Sequence, residues 1–316
     1  MGLFCYYYFL LINHIISVFL HINLLCDVKN IIEYILFLFL SYLCRLLGLN
    51  LSRKFASVIS MFFFYLLPIR KDVVFDNLKH AFPELSTDQI KKLAYRTYKN
   101  FSITLVEILY LPWTSDEQIK NVVKFKNLDL IDKKEKEGNG VILLSGHFGN
   151  WEYCAISAGA QLNTKLSVIV KPQRNHLVND WMNRARTRWT NEVVPLGASI
   201  RNVYAVLMKK GIVAMVADQR GPEESIKLDF FGRKTSVYTG PAVLSLKMNV
   251  PIVYGITIRQ PDFSYRCDVV EISRENLPDD YDEKVKVLSE RMLGYLEDVI
   301  RKNPEQWFWM HKRWKH

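Results

Sequence analysis

The sequence predicts an α/β fold: a mixed, mostly parallel central sheet flanked by helices, preceded by one or more apolar membrane helices. Three observations carry this. Short apolar, β-branched runs recur after residue 140, as VILLS (141–145), LSVIV (166–170), IVAMVA (212–217) and PIVYGITI (251–258). Helix-like segments separate them at 149–161, 174–190, 199–210 and 239–248, and strands alternating with helices build a buried parallel sheet. Much of the apolar excess lies before residue 70. The chain thus divides into an apolar, membrane-anchoring region (1–69) and a folded domain (70–316).

The apolar region holds three runs. Residues 1–25 are strongly apolar but interrupted by Asn13, His14, His21 and Asn23; residues 31–47 carry Glu33 early and Arg45 late; residues 55–69 are shorter still. A spanning helix needs about 20 apolar residues. A secretory signal fits poorly, because no positive charge opens the chain and no small-residue cleavage site closes the first run. One or two of these runs are read as membrane helices, and the third as an interfacial or domain-packing helix. Arg53, Lys54, Arg70 and Lys71 flank the third run, which suits a cytoplasmic membrane face.

The folded domain opens with helix at 73–81, stopped by Pro83. Ser86 with Gln89 three residues on is a capping box, and it starts a helix over 87–110 that Pro112 ends. Ser115 to Gln118 starts another short one. The charged run DKKEKEGNG (132–140) is expected as a solvated loop. SYRCDVVEI (264–272) alternates polar with apolar residues, which predicts an edge strand. A last long helix runs over 281–302 and closes at Asn303-Pro304.

The net charge of +10 points to anionic lipid and an acidic carrier protein rather than nucleic acid, because the basic residues are spread out and no nucleic-acid motif accompanies them. The five cysteines, Cys5, Cys26, Cys44, Cys154 and Cys267, are odd in number and widely spaced. They form no CxxC, so neither a zinc site nor a disulfide framework is expected; free thiols place the folded domain in a reducing cytoplasm. There is no GxSxG, P-loop, HExxH or GxGxxG, which removes the main support for serine hydrolase, NTPase, zincin and dinucleotide enzymes.

Chemistry concentrates in Gly146-His147-Phe148-Gly149-Asn150-Trp151-Glu152. A buried strand runs into Gly-His, and a helix starts near Asn150. That puts His147 at the carboxyl end of a strand, where open α/β sheets place ligands, and Glu152 in the next helical turn. A carboxylate bound to one imidazole nitrogen fixes the tautomer and leaves the other nitrogen as a base. Glu152 is expected in that part. Free N–H groups at the helix start are available to a developing oxyanion. Asp218, at the end of IVAMVA, falls at the same sheet end and is expected to orient an arginine or the substrate, or to be structural.

These blocks resemble the late acyltransferases of lipid A biosynthesis, the lauroyl and myristoyl transferases. GHFGNWE carries that family's HX4(D/E) motif in His147 and Glu152. Asn77-Leu78, Ala81-Phe82-Pro83-Glu84 and Glu107 match early blocks; Lys171-Pro172, Asn175 and Arg186-Thr187-Arg188 match the second. Asp218-Gln219-Arg220, Phe230-Phe231-Gly232-Arg233 and Thr239-Gly240-Pro241-Ala242 follow in order. Pro304-Glu305-Gln306-Trp307, then Trp309, His311, Lys312 and Arg313, match the C-terminal signature. The likeness covers residues 30–316; Lys171 stands where arginine is common, and residues 1–28 are an extension.

The resemblance implies a glycerolipid-acyltransferase-like fold at the bacterial inner membrane with its catalytic domain on the cytoplasmic side. It implies acyl carrier protein as donor, an anionic glycolipid as acceptor, and no cofactor. His147 and Glu152 would be catalytic. Asn150, Lys171, Arg186, Asp218, Arg220 and Gly232 would bind substrate, the arginines by holding phosphates. Asn150 has the alternative of a plain helix cap. Trp307, Trp309 and Trp314, interleaved with Lys312, Arg313 and Lys315, suit either a membrane interface or core packing. Three other readings stay open: another lipid acceptor, a thioesterase in which the base activates water, and a lipid-binding protein without catalysis.

Overall fold

A computed structural model describes residues 27–137, 140–162, 164–197 and 200–315. The first apolar run, 1–25, lies outside the described residues. Among those described, seven strands form one sheet in the order β1-β9-β8-β2-β5-β3-β4. The strands are β1 (Val123–Lys126), β2 (Val141–Ser145), β3 (Leu166–Val170), β4 (Glu192–Pro195), β5 (Ile212–Val216), β8 (Ile252–Arg259) and β9 (Tyr265–Glu271). All neighbours pair in parallel except β8 with β9. A separate hairpin, β6 (Lys227–Phe230) and β7 (Arg233–Ser236), lies beside the sheet.

β2 sits near the middle and shows why the sheet forms. Ile142 and Leu144 face one apolar core with Val213, Met215 and Tyr254; Val141 and Leu143 face the other with Ile212, Ala214 and Val253. Side chains alternate between faces along a strand, so a continuous apolar run is buried on both sides by the flanking helices. These helices include α7 (Trp151–Leu162), α8 (His176–Thr187), α9 (Ile200–Met208), α10 (Gly240–Met248) and α11 (Tyr281–Lys302).

Two expectations are corrected. Residues 132–137 of the run read as a solvated loop belong to α6 (Asp129–Glu137). Asp129 and Asp132 fall in the first turn and Lys134 and Lys136 in the last, which complements the helix dipole, and Ile131 is fully buried. The alternating strand, β9, is not an edge, because β1 pairs along its outer side.

The described part of the apolar region, residues 27–69, is packed onto the domain. α1 (Asp27–Leu47) is long and apolar enough to cross a membrane, and most of it is exposed. α2 (Leu49–Met61) turns Ser52, Arg53, Ala56 and Ser60 inward, onto the long helix α4 (Thr87–Tyr110). A π-helical turn, Phe62–Leu66, follows. It buries Phe64 edge-on against Tyr95 and Tyr98 of α4, a contact worth about 2–3 kcal/mol from the buried ring alone. α3 (Lys71–Ala81) and α5 (Asp116–Val122) complete the set. The capping box expected at Ser86 is formed, and the short helix expected from Ser115 is also opened by a capping box.

Candidate active site

The parallel register of β2 and β5 builds the site. Ser145 stands level with Val216, and two residues beyond each come His147 and Asp218. The His147 main-chain N–H donates to Asp218 Oδ2 at 2.7 Å, and His147 Nδ1 lies 2.7 Å from Asp218 Oδ1. The indole N–H of Trp307 donates to Asp218 Oδ2 at 2.8 Å. Burial alone would raise the Asp218 carboxyl, but the charge and hydrogen bonds of His147, with Trp307, outweigh it and hold the group below its ordinary range. Burial would lower the His147 imidazole, and again the Asp218 charge and hydrogen bond win, with Glu152 adding to them, so the imidazole is raised.

The imidazole nitrogen not held by Asp218 is Nε2. His147 lines a narrow pocket with Thr97, Phe101, Trp151, Phe308 and Met310. Its ring packs against Trp151 at 5.0 Å and Phe308 at 6.2 Å between centroids. The C-terminal segment closes this side of the site: Phe308 N–H donates to His147 O at 3.0 Å, and Gly149 N–H donates to Gln306 O at 3.0 Å.

The carboxylate expected to accept from the imidazole was Glu152, and the structure places Asp218 there instead. Glu152 is buried in the first turn of α7, which carries it toward α8. There Arg186 takes both its oxygens, Nε to Oε2 at 2.9 Å and a terminal nitrogen to Oε1 at 2.6 Å. Burial would lower the Arg186 guanidinium, but the Glu152 charge raises it. This forked pair fixes α7 to α8 and leaves a carboxylate whose field still reaches His147.

Asn150 was expected at the substrate. Its side chain is fully buried and used at both ends: Oδ1 accepts from Tyr153 N–H at 3.0 Å, and Nδ2 donates to Glu107 Oε2 at 3.0 Å. The helix-cap alternative is the one that holds, extended by the bond to Glu107. Glu107 has no exposure and also binds Arg53, Arg259 and the Tyr265 hydroxyl. Arg259 in turn donates to Thr104 Oγ1 at 2.7 Å, and Thr104 donates to Gly149 O at 2.6 Å. The turn after His147 is therefore held from below by a buried ionic network.

Gly232 was also expected at the substrate. It is a turn residue in the β6–β7 hairpin, where Phe231 (φ 52°) and Gly232 (φ 73°) both adopt positive φ, the requirement of a tight two-residue hairpin turn. Lys171 is exposed in the loop after β3, two strands away from β2. Arg220 donates its main-chain N–H to His311 Nε2 at 3.2 Å and a guanidinium N–H to Lys315 O at 3.1 Å, so it knits the C-terminal segment to the loop after β5. Burial pushes the His311 imidazole down to about 4, which keeps it a neutral acceptor. Trp307, Trp309 and Trp314 are buried, so core packing is their place rather than a membrane interface.

The sequence reading missed the partnership of His147 with Asp218 and the Trp307 bond that completes it. The signal was present: two apolar runs of equal length, VILLS and IVAMV, each followed two residues later by a titratable group. It needed the knowledge that β2 and β5 are neighbours.

A His–Asp pair at the carboxyl edge of a mostly parallel sheet, lining a small pocket with Phe101, Trp151 and Phe308, defines an α/β fold with a candidate acid–base site. The sequence pattern of the bacterial lipid A biosynthesis acyltransferases matches residues 25–316, and the chain belongs to that family. It is 24% identical over 249 residues to a lipid A biosynthesis palmitoleoyltransferase of Escherichia coli (strain K12), covering 78% of this chain and 79% of that one. To the lipid A biosynthesis lauroyltransferase of the same strain it is 23% identical over 248 residues, with the same coverage. A phosphatidylinositol mannoside acyltransferase of Mycobacterium tuberculosis is 25% identical over 130 residues, 40% of this chain and 41% of that one.

Proposed function

We propose that the protein transfers a fatty acyl chain from an acyl carrier protein thioester to a hydroxyl of a lipid A precursor, the hydroxyl of a 3-hydroxyacyl chain. The observation that carries this is the His147–Asp218 pair. Asp218 accepts the Nδ1 proton, so Nε2 is the basic nitrogen on the pocket side. Nε2 takes the proton of the acceptor hydroxyl as its oxygen bonds to the thioester carbonyl carbon. The tetrahedral intermediate collapses by breaking the carbon–sulfur bond, and the thiolate takes the proton from the imidazolium. An alcohol needs a base for this, whereas a thiolate leaves readily. The Trp151 and Glu152 N–H groups, which precede the Tyr153 N–H capped by Asn150, are the donors this reading assigns to the oxyanion.

In this reading His147 is the catalytic base and Asp218 its positioning residue. Glu152, the motif partner, supports the imidazolium through its field while Arg186 holds it in place. The basic balance of the chain suits an acidic carrier and an anionic glycolipid. Cys44, Cys154 and Cys267 are free thiols, which suits the cytoplasmic side of an inner membrane. The match to the mannoside acyltransferase favours a second reading of the acceptor alone: the same transfer onto another anionic glycolipid.

The test is acyl transfer in detergent with labelled acyl carrier protein, comparing wild type with His147→Ala and Asp218→Asn. Transfer to a lipid A precursor by wild type, lost in both folded variants, supports the proposal. Acyl release without any acceptor would make the protein a thioesterase and sink it. Transfer only to a phosphatidylinositol mannoside would establish the second reading.

A further inference from the structure

We infer that α1 and α2 form a platform lying in one leaflet of an anionic lipid bilayer, rather than α1 crossing it. The inference rests on the membrane reading of the proposed function but not on its chemistry.

α1 has the length and composition of a spanning helix, yet it is bound to the same folded body along its whole course. Near its start, Asn175 Nδ2 donates to Asn30 O at 2.8 Å, and Arg174 pairs with Glu33 at 2.8 Å. In the middle, Phe37 packs edge-on against Trp181 of α8 at 4.8 Å. Further along, Ser41 Oγ donates to Leu109 O at 2.7 Å, and Cys44 is buried against Ala56 and Val106. Near its end, the Arg45 guanidinium lies 4.3 Å over the Trp113 ring. These contacts recur at residues 30, 33, 37, 41 and 44, the spacing of one helical stripe.

Fifteen residues separate Asn30 from Arg45, about 22 Å of helix. A helix perpendicular to the bilayer would drag its partners through a hydrocarbon core about 30 Å thick. Its partner at one end is the loop with exposed Lys171, Arg174 and His176; at the other it is the segment around Trp113, next to exposed Asp116 and Arg188. Both ends carry hydrated charge belonging to one body, and charges in the hydrocarbon core are costly. The contacts survive only if α1 lies along the surface.

The opposite face of α1 and α2 is apolar and uncovered. Ile32, Phe39 and Leu46 of α1, Val58 of α2, and Tyr65 and Leu66 of the π-helical turn are exposed, Leu46 at 85%. Such a patch marks an interaction surface. Exposed Lys29, Arg45, Lys54 and Arg70 border it, and an apolar face with a cationic rim complements an anionic membrane. The platform also reaches the site. The Tyr98 hydroxyl bonds to Ile69 O just past the π-helical turn, Arg70 donates to Met310 O at 3.0 Å, and Met310 lines the pocket of His147. Acyl chains would pass from lipid to pocket without crossing water.

The test uses the full chain bound to vesicles of phosphatidylethanolamine and phosphatidylglycerol. An encoded fluorescent amino acid replaces Ile32, Phe39 or Leu46, one at a time, and lipids carry a quencher near the headgroup or near the chain end. Equal quenching ratios at all three positions, with the headgroup quencher dominant, support the platform. A deep Phe39 position flanked by two shallow ones would mean a spanning helix and overturn it, as would no quenching at any position. Transfer assays of the same labelled proteins in detergent report on the proposed chemistry alone, so the two ideas fail separately.

Discussion

Asp218 lies beside His147 because β5 and β2 pair in parallel with Val216 level with Ser145, and each residue follows that pair by two positions. The pair is thus a product of sheet register rather than of local sequence. Asp218→Asn keeps the shape but turns an acceptor into a group that can donate to Nδ1 and so favours the wrong tautomer. Acyl transfer should fall about 100- to 10,000-fold in kcat with KM little changed. Loss confined to KM would show that Asp218 serves substrate binding instead.

The pH dependence follows from the same pair. His147 must be neutral to act as a base, and its pKa is raised above 6.5, against the pull of burial, chiefly by the Asp218 charge. Wild-type kcat/KM should therefore rise with pH and level off only above the ordinary imidazole range. In Asp218→Asn the residual activity should rise at lower pH. Stability moves as well. The raised His147 contributes fully below about pH 6.5, and that contribution fades as pH climbs through its folded value. The lowered Asp218 contributes above about pH 3.9 and fades as pH falls through its own. Denaturant midpoints of wild type and His147→Gln across this range would reveal both limbs. Parallel curves would remove the pair as a source of pH dependence.

Much of the frame was legible in the sequence because it rests on patterns that local residues enforce. Runs buried on both faces gave β2 and β3 residue for residue, and Ser86 with Gln89 gave the start of α4. Short polar strands did not announce themselves: VKFK, EVVP and the hairpin strands KLDF and RKTS have four residues each, too few for a period to show. The charges of α6 looked like a solvated loop because its one fully buried side chain, Ile131, is a weak signal. His147 could be found from its strand-to-helix setting. Its partner could not, because Glu152 was near in sequence while Asp218 was near in space.

Glu152 and Arg186 offer the clearest separation of roles. Both are buried and joined by two short bonds. Arg186→Ala leaves a carboxylate without a partner and should cost about 3–5 kcal/mol, read from chemical denaturation. Glu152→Gln with Arg186→Met removes both charges and should recover a large part of that loss. In activity, Glu152→Gln should cost less than Asp218→Asn, because it acts on His147 through its field. A loss as deep as that of Asp218→Asn would return the orienting part to Glu152.

Glu107 predicts a coupling between the apolar helices and the site. It holds Arg53 of α2, Arg259 of β8 and Asn150 at the start of α7. Glu107→Ala strands two buried guanidinium groups and should destabilise by at least about 3–5 kcal/mol. Arg53→Met leaves Glu107 its second arginine and should cost less. Equal losses from the two variants, measured by denaturation, would show that the network does not share charge in this way.

Two glycines with positive φ should answer substitution in opposite ways. Gly149 has φ 53°, and a Cβ there would meet the Thr257 carbonyl oxygen at 2.4 Å. That oxygen is backbone in the middle of the sheet and has nowhere to go. Gly149→Ala should therefore displace the turn after His147 and remove about 90% or more of the transfer activity, beyond a stability loss of about 1–3 kcal/mol. Gly232 has φ 73° with open space around its missing Cβ. Gly232→Ala bears only the cost of left-handed backbone, about 1–2 kcal/mol, and transfer by the folded protein should stay near wild type. If Gly232→Ala abolished transfer in a protein of normal stability, the hairpin turn would have to touch substrate after all.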